Sequence, residues 1–274
     1  MLFRSIDASL HLCGKTVVAT REHQIEDLAA SADLHREHGE DAVLLDGDAV
    51  RADVHSPTYL AGLRVRSGGG LVDPAALTWG LKTAALRHGV RIFERTPVTG
   101  MAREGGSILA RTPYGGIRAD RVLLATNAYP PLLRRLRRRI LPVYDHVLVT
   151  EPLSSSALSS VGWSEGQGLT DLGNQFHYYR RTPDDRILWG GYDAIYYFGS
   201  RSDAAREQRD ASHALLARQF FDTFPQLEGL RFTHRWAGLI DSTSRFTPVF
   251  GTAMDGRLAY SVGYTGLGVA MSRF

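Results

Sequence analysis

Asp73-Pro-Ala-Ala-Leu-Thr-Trp-Gly-Leu-Lys-Thr-Ala-Ala-Leu-Arg-His-Gly89, followed directly by Val90-Arg-Ile-Phe-Glu-Arg95, decides the fold class of this chain. Asp73 is suited to cap a helix and Pro74 to occupy its first turn. Leu77, Leu81 and Ala84 or Ala85 recur on one face, and Gly89 ends the run. The next six residues predict a strand. A second strand is expected at Arg121-Val-Leu-Leu-Ala-Thr126, whose continuous apolar run suits a strand covered on both faces. Helix, short connection and strand in this order belong to an α/β layer.

Working outward, Lys15-Thr-Val-Val-Ala-Thr20 predicts a strand and Glu22 to His38 a helix with Ile25, Leu28, Ala29 and Ala32 inward, ended by Gly39. Beyond Ile140 the character changes. Leu141-Pro-Val-Tyr-Asp-His-Val-Leu-Val-Thr150, Phe176-His-Tyr-Tyr-Arg-Arg181 and Arg186-Ile-Leu-Trp-Gly-Gly191 read as antiparallel strands, the last two joined by the turn-forming Thr182-Pro-Asp-Asp185. A helix from about Ala204 to Thr223 completes an α+β module. The chain then returns to the first layer through Trp236-Ala-Gly-Leu239 and Arg257-Leu-Ala-Tyr-Ser-Val262.

Bulk properties are those of an ordinary globular chain: 274 residues, 43% hydrophobic and 22% charged. A net charge of +3 is too small to mark a polyanion binder. The single cysteine, Cys13, excludes an internal disulfide framework and points to a reducing, cytoplasmic setting. No run approaches the roughly 20 apolar residues of a membrane helix, and Arg4 is not followed by the apolar segment of a signal peptide. The arginine run Arg134-Arg-Leu-Arg-Arg-Arg139 lacks interleaved aromatics and reads as a solvated connection, so no nucleic-acid partner is expected. His35 and His38 share a polar face with no third ligand, so no metal is expected. Between Phe176 and Phe198 the aromatic density suits either core packing or the wall of a substrate pocket.

The closing Val262-Gly-Tyr-Thr-Gly-Leu-Gly-Val-Ala-Met271 runs from a strand through glycines into what reads as the first turn of a helix. A helix start of this kind offers N–H groups and a positive dipole end to a ligand. Gly266-Leu-Gly268 matches the dinucleotide fingerprint only in part, because Met271 holds the third glycine position and no acidic residue follows. It therefore fails as a pyrophosphate loop.

Six segments fall in the order of one known family: Gly70-Leu-Val-Asp-Pro-Ala-Ala-Leu77, Thr96-Pro-Val98, Val122-Leu-Leu-Ala-Thr-Asn-Ala-Tyr129, Leu141-Pro-Val-Tyr144, Trp236-Ala-Gly-Leu239 and Gly263-Tyr-Thr-Gly-Leu-Gly-Val269. Together they resemble the FAD-dependent oxidoreductases of the D-amino acid oxidase and glycine oxidase superfamily. The branch that includes γ-glutamylputrescine oxidoreductases is most similar, through Pro142-Val-Tyr-Asp145 and Thr150-Glu-Pro-Leu153. The resemblance covers nearly the whole chain from about Thr16. It implies a mixed α/β (α+β) fold in which a partial, Rossmann-like FAD-binding layer is interleaved with an antiparallel-sheet substrate-binding domain. The expected divisions are 1–65 (mainly substrate-domain strand and helix), 66–139 (partial FAD layer), 140–235 (substrate domain) and 236–274 (return to the FAD layer).

The resemblance also implies site residues. Val98 would pair with the adenine end of FAD through its backbone. Ala125, Thr126 and Asn127 would line the cofactor groove, and Gly238, Gly266, Gly268 and Val269 would lie by the flavin ring. A helix start there stabilises the charge of reduced flavin at N1 and the C2 carbonyl, by about 0.3–2 kcal/mol. No cysteine lies in the C-terminal half, so the FAD is expected to be non-covalent. The implied reaction is hydride transfer from a carbon bearing an amine to flavin N5, with the protein supplying orientation and electrostatics. In amino-acid oxidases of this family an arginine follows the Trp-x-Gly-Leu stretch and pairs with the substrate carboxylate. Here Ile240 and Asp241 stand there, which predicts an amine or polyamine-derived substrate, with Tyr178, Trp236, Ile240 and Asp241 as candidate pocket residues; Arg235 or Arg245 offers a route back to a carboxylate. The family's pyrophosphate loop, ribose-binding acid and C-terminal helix have no counterpart, so the chain reads as truncated at both ends. A non-catalytic remnant or partner-binding domain that holds no FAD is the alternative reading.

Overall fold

A computed structural model describes residues 6–129 and 132–272; residues 1–5, which include Arg4 of the segment weighed as a leader, lie outside the described residues. In chain order the elements are β1 (Lys15–Ala19), α1 (Gln24–Glu37), β2 (Ala42–Leu45), α2 (Gly47–Asp53), β3 (Ala61–Val65), α3 (Pro74–Arg87), β4 (Gly100–Glu104), β5 (Ser107–Thr112), β6 (Gly115–Ala119), β7 (Val122–Leu124), β8 (Leu141–Thr150), α4 (Ser155–Val161), β9 (Gly168–Asp171), β10 (His177–Arg181), β11 (Ile187–Gly191), α5 (Asp210–Thr223), β12 (Phe232–Ser242), β13 (Val249–Ala253), β14 (Leu258–Val262) and α6 (Gly268–Met271). The chain forms two compact units. One comprises Met1–Lys82, Asp145–Ala194 and Glu207–Ala237; the other comprises Thr83–Tyr144, Ile195–Arg206 and Gly238–Phe274. The three main boundaries fall within α3, β8 and β12.

The first unit is organised by a mixed sheet in the order β12-β8-β11-β10-β9-β1-β3-β2, in which β1 and β9 run parallel and the other described pairs antiparallel. Neighbouring residues of β1 enter different cores: Val18 joins Trp189, Tyr179, Leu216, Phe220 and Phe224, while Ala19 joins Leu28, Ala32, Leu63 and Val65. Side chains alternate across a strand, so α5 and α1 cover opposite faces. The Trp189 ring is the hub of the larger core, 4.5 Å from Tyr179 and 5.7 Å from Phe220 between centroids. The buried hydroxyls of Tyr59 and Tyr179 satisfy one another at 2.6 Å. Of the four α1 residues expected inward, Leu28 and Ala32 are buried, whereas Ile25 is exposed. The helix expected from Ala204 begins at Asp210. Arg209 is extended, and its guanidinium is held by Asp193 and Ser212, so residues 204–206 form a separate 3-10 turn.

A buried histidine makes this core pH-sensitive. His146 of β8 is fully buried and meets His213 of α5 edge-on, centroids 5.2 Å apart. Neither of its ring nitrogens has a hydrogen-bond partner among the described residues. Burial, reinforced by His213, holds its pKa down at about 4. The unfolded chain takes up this proton near the ordinary value of 6.5, and the folded chain does so only near 4. Stability is therefore complete above about pH 7 and falls as pH drops from 6.5 toward 4, by about 2–3 kcal/mol. Urea midpoints measured across that range should fall for the natural protein, with a clearly smaller fall in His146→Leu.

The second unit contains the antiparallel meander β4-β5-β6 and a three-stranded sheet in the order β13-β14-β7, with β14 and β7 parallel. Its core gathers Ile108, Leu124, Leu136, Ile140, Leu258, Tyr260 and Val262. The arginine run forms a 3-10 turn that drives Leu136 inward, and the Arg135 guanidinium lies 4.9 Å from the Tyr260 ring centroid. Three sequence expectations need correction here. Helix α3 forms, with Asp73 accepting from the Ala75 and Ala76 N–H groups, yet none of its residues is fully buried. Val90–Arg95 is not a strand, and Val90, Ile92 and Phe93 are exposed. The strand expected at 121–126 is only β7, and its Leu123 is 66% exposed, so it is not covered on both faces. A strand requires a ladder partner and a helix face an apolar counterpart. Among the described residues Val90–Arg95 has no ladder partner, and α3 is covered only in part, with Ile6 lying against Gly80.

Candidate functional site

Strands β7 and β14 run parallel, with Leu258, Ala259 and Tyr260 opposite Val122, Leu123 and Leu124. Three residues past each strand's last paired position stand Asn127 and Gly263, so both lie beyond the carboxyl edge of the sheet. Ligands of open α/β sheets collect at this edge. Gly263 turns the chain with φ +79°, and a Cβ there would sit 2.4 Å from the Thr243 methyl, so only glycine fits. Asn127 adopts φ +49°, a conformation Asn tolerates better than most residues.

The C-terminal part of β12 joins these two strand ends. The Asn127 side-chain amide donates to the Leu239 carbonyl at 3.1 Å. Two residues on, the Asp241 carboxylate accepts from the backbone N–H groups of Gly263 and, at 3.1 Å, Tyr264. Thr265 completes the clasp: its N–H donates to the Asp241 carbonyl at 3.4 Å, and its hydroxyl accepts from the Thr243 N–H at 3.2 Å. Sequence reasoning placed Asp241 in a substrate pocket, favouring a cation. The structure gives it another task, because Asp241 is 3% exposed and each of its carboxylate oxygens accepts from one of the turn's own N–H groups.

Beside this clasp the Thr126 hydroxyl is buried with no hydrogen-bond partner among the described residues. At Gly238 and Gly266 a Cβ would meet only open space. Leu267 and Val269 are exposed, and the first N–H groups of α6 have no acceptor within the helix. Thr126, Asn127, Gly238, Gly266, Gly268 and Val269 all belong to the second unit, and the bonds above tie the β7 and β14 ends together through β12. An orphan hydroxyl, open glycine backbone and unpaired N–H groups suit a flat ligand with polar edges, and flavin is such a ligand. Val98, 38% exposed, precedes β4 in the same unit, and no described hydrogen bond links it to the clasp.

In the first unit, Tyr178 and Trp236 are the sequence-derived pocket candidates. Trp236 is 39% exposed, and its carbonyl accepts from His213. Tyr178 points away from the Trp189 core: its cross-strand neighbour is Thr170, itself opposite Val17, on the face that α1 covers further along the sheet. Its hydroxyl donates to the Asp145 carboxylate of β8. Sequence reasoning quoted Asp145 only as part of a motif. Its pattern position, two residues before Val147 on one strand face, was the available signal. Arg235, one candidate for binding a carboxylate, is paired with Asp210 at 2.8 Å. Among the described residues no group of three or more His, Cys, Asp or Glu side chains could hold a metal. No described helix is long and apolar enough to cross a membrane.

The chain is similar to known proteins over nearly its whole length. The profile of the FAD-dependent oxidoreductase family matches residues 2–274. A probable oxidoreductase OrdL of Haemophilus influenzae is 31% identical over 266 residues, covering 94% of this chain and 58% of that protein. Gamma-glutamylputrescine oxidoreductase of Escherichia coli is 31% identical over 259 residues, with 93% and 58% covered. The chain thus spans less than three-fifths of the length of these relatives. Among solved structures, glycine oxidase from Geobacillus kaustophilus superposes with a TM-score of 0.82 at 21% identity, over 97% of this chain and 69% of that one. L-proline dehydrogenase from P. horikoshii gives 0.81 at 18% identity, over 99% and 72%. These two likenesses speak for the fold.

Proposed function

The chain belongs to the family of FAD-dependent oxidoreductases, and on that premise we propose that it carries the flavin-ring end of an FAD site in an enzyme that oxidises a primary or secondary amine. The observation that carries this reading is the clasp at the carboxyl ends of β7 and β14, with its orphan Thr126 hydroxyl and open glycines. When bound, FAD supplies the two-electron acceptor that takes hydride at N5 from the carbon bearing the amine.

The protein's own residues hold and orient. Asp241 fixes the Gly263–Thr265 turn so that the backbone after it approaches the ligand without a side chain between. Thr126 offers its unpaired hydroxyl to a polar edge of the ring, and Ala125 and Asn127 flank it at the strand end. Gly238, Gly266, Gly268 and Val269 line the approach, and Val98 takes the adenine end. The first α6 N–H groups favour negative charge at the pyrimidine edge. Amine selectivity finds support in the sequence: the position after Leu239 holds Ile240, which cannot pair with a carboxylate. The similarity to a gamma-glutamylputrescine oxidoreductase supports an amine of polyamine origin.

The reading is tested by mixing the protein loaded with FAD anaerobically with candidate substrates. Alkylamines and acylated diamines should bleach the flavin absorbance faster than glycine or D-alanine do. Faster bleaching by the free amino acids would contradict the amine assignment.

A further inference from the structure

We propose that Asp145 and Tyr178 form a recognition site for an alkylammonium group on the face of the first unit's sheet opposite the Trp189 core. This inference rests on the amine reading above, and it deepens it by naming the residues that select positive charge.

The site is built across three strands. Tyr178 of β10 stands opposite Gly190 of β11, and Gly190 stands opposite Val147 of β8. A Cβ on Gly190 would come within 2.8 Å of the Tyr178 ring and hydroxyl. The glycine therefore leaves the gap through which the tyrosine lies over β11 and reaches β8. Its hydroxyl ends on the carboxylate of Asp145, two residues from Val147 and on the same strand face. A larger residue at position 190 would displace the ring and separate the pair.

The chemistry of the pair is unbalanced. Asp145 is half-buried, and among the described residues its only hydrogen bond is the one from Tyr178, with no Lys, Arg or His within ion-pair distance. Burial pushes its carboxyl above the usual aspartate range, with no neighbouring cation opposing that rise. Most carboxylates that survive partial burial are paired with a cation or with several donors. A carboxylate with one hydroxyl donor keeps acceptor sites free, and an ammonium group with its three donors completes them. Val147, two residues along β8 on the same face, is apolar, which suits the alkyl stem behind such a head group. Asp241, the other acidic residue the sequence offered for this task, is buried with each carboxylate oxygen engaged by a backbone N–H group.

The experiment is a calorimetric titration of the purified chain with butylamine and with 1,4-diaminobutane at neutral pH, with butanol as the uncharged control. It is backed by NMR of Tyr178 labelled at its phenolic carbon. The natural chain should bind both amines and not butanol, and the Tyr178 resonance should shift on binding. Asp145→Asn should weaken amine binding by about tenfold or more, Asp145→Glu should restore part of it, and Gly190→Leu should weaken it through loss of the pair. Thermal midpoints of the aspartate variants serve as the control for folding. Equal amine affinity in the natural chain and Asp145→Asn, or no amine binding by the natural chain, would overturn the proposal. Flavin bleaching by amines reports the enzymatic reading independently. A protein whose flavin amines still reduce, while Asp145→Asn binds them normally, would lose this site and keep that function.

Discussion

Replacing Asp241 with leucine should destabilise the second unit by about 3–5 kcal/mol and abolish flavin binding. The carboxylate accepts from two backbone N–H groups, and its residue's carbonyl accepts from a third. Leucine keeps the carbonyl but leaves the Gly263 and Tyr264 N–H groups buried without an acceptor, at about 1–3 kcal/mol each. Gly263 is held at φ +79° against Thr243, so the turn has no neighbouring conformation into which it can relax cheaply. Asp241→Asn retains one acceptor oxygen and should cost roughly half as much. Urea unfolding followed through the Tyr260 and Tyr264 environment measures the first effect, and flavin fluorescence measures the second. A leucine variant as stable as the natural chain would show that the turn does not depend on this carboxylate.

The second large effect belongs to the first unit. Trp189→Ala should cost about 3–5 kcal/mol, the usual range for removing a large aromatic from a well-packed core. The indole is 1% exposed, stacks at 4.6 Å on His177, and touches Tyr179, Phe220 and Phe224. Those neighbours come from β10 and from α5 and its exit, so the cavity left behind is walled by two elements that cannot both move in. Trp189→Phe fills much of the space and should cost markedly less. Denaturant midpoints for the two variants give the comparison directly.

The sequence revealed those features that depend on local pattern. Asp73-Pro74 starts α3, Thr182–Asp185 closes the β10–β11 hairpin, and the strand beginning at Lys15 lies within one residue of its observed end. It also singled out the glycine turn at 263–268, which directly follows β14. What it missed depends on long-range partners. Val90–Arg95 carries the composition of a strand but finds no ladder among the described residues, and the apolar face of α3 is only half-covered. Asp241 read as a substrate ligand because its partners lie 22 and 23 residues ahead on another strand. Asp145 went unnoticed for the same reason, since Tyr178 is 33 residues away and the glycine that admits it lies on a third strand. Charge in a sequence shows where a carboxylate is. Only the fold shows whether it is already occupied.

The central claim is that the turn held by Asp241 carries the ring end of FAD. Equilibrium titration of the purified chain and of Asp241→Leu with FAD and riboflavin tests this most directly. The account predicts that riboflavin binds as well as FAD, and that Asp241→Leu removes both flavins. No binding of riboflavin, or flavin binding indifferent to Asp241→Leu, would contradict it.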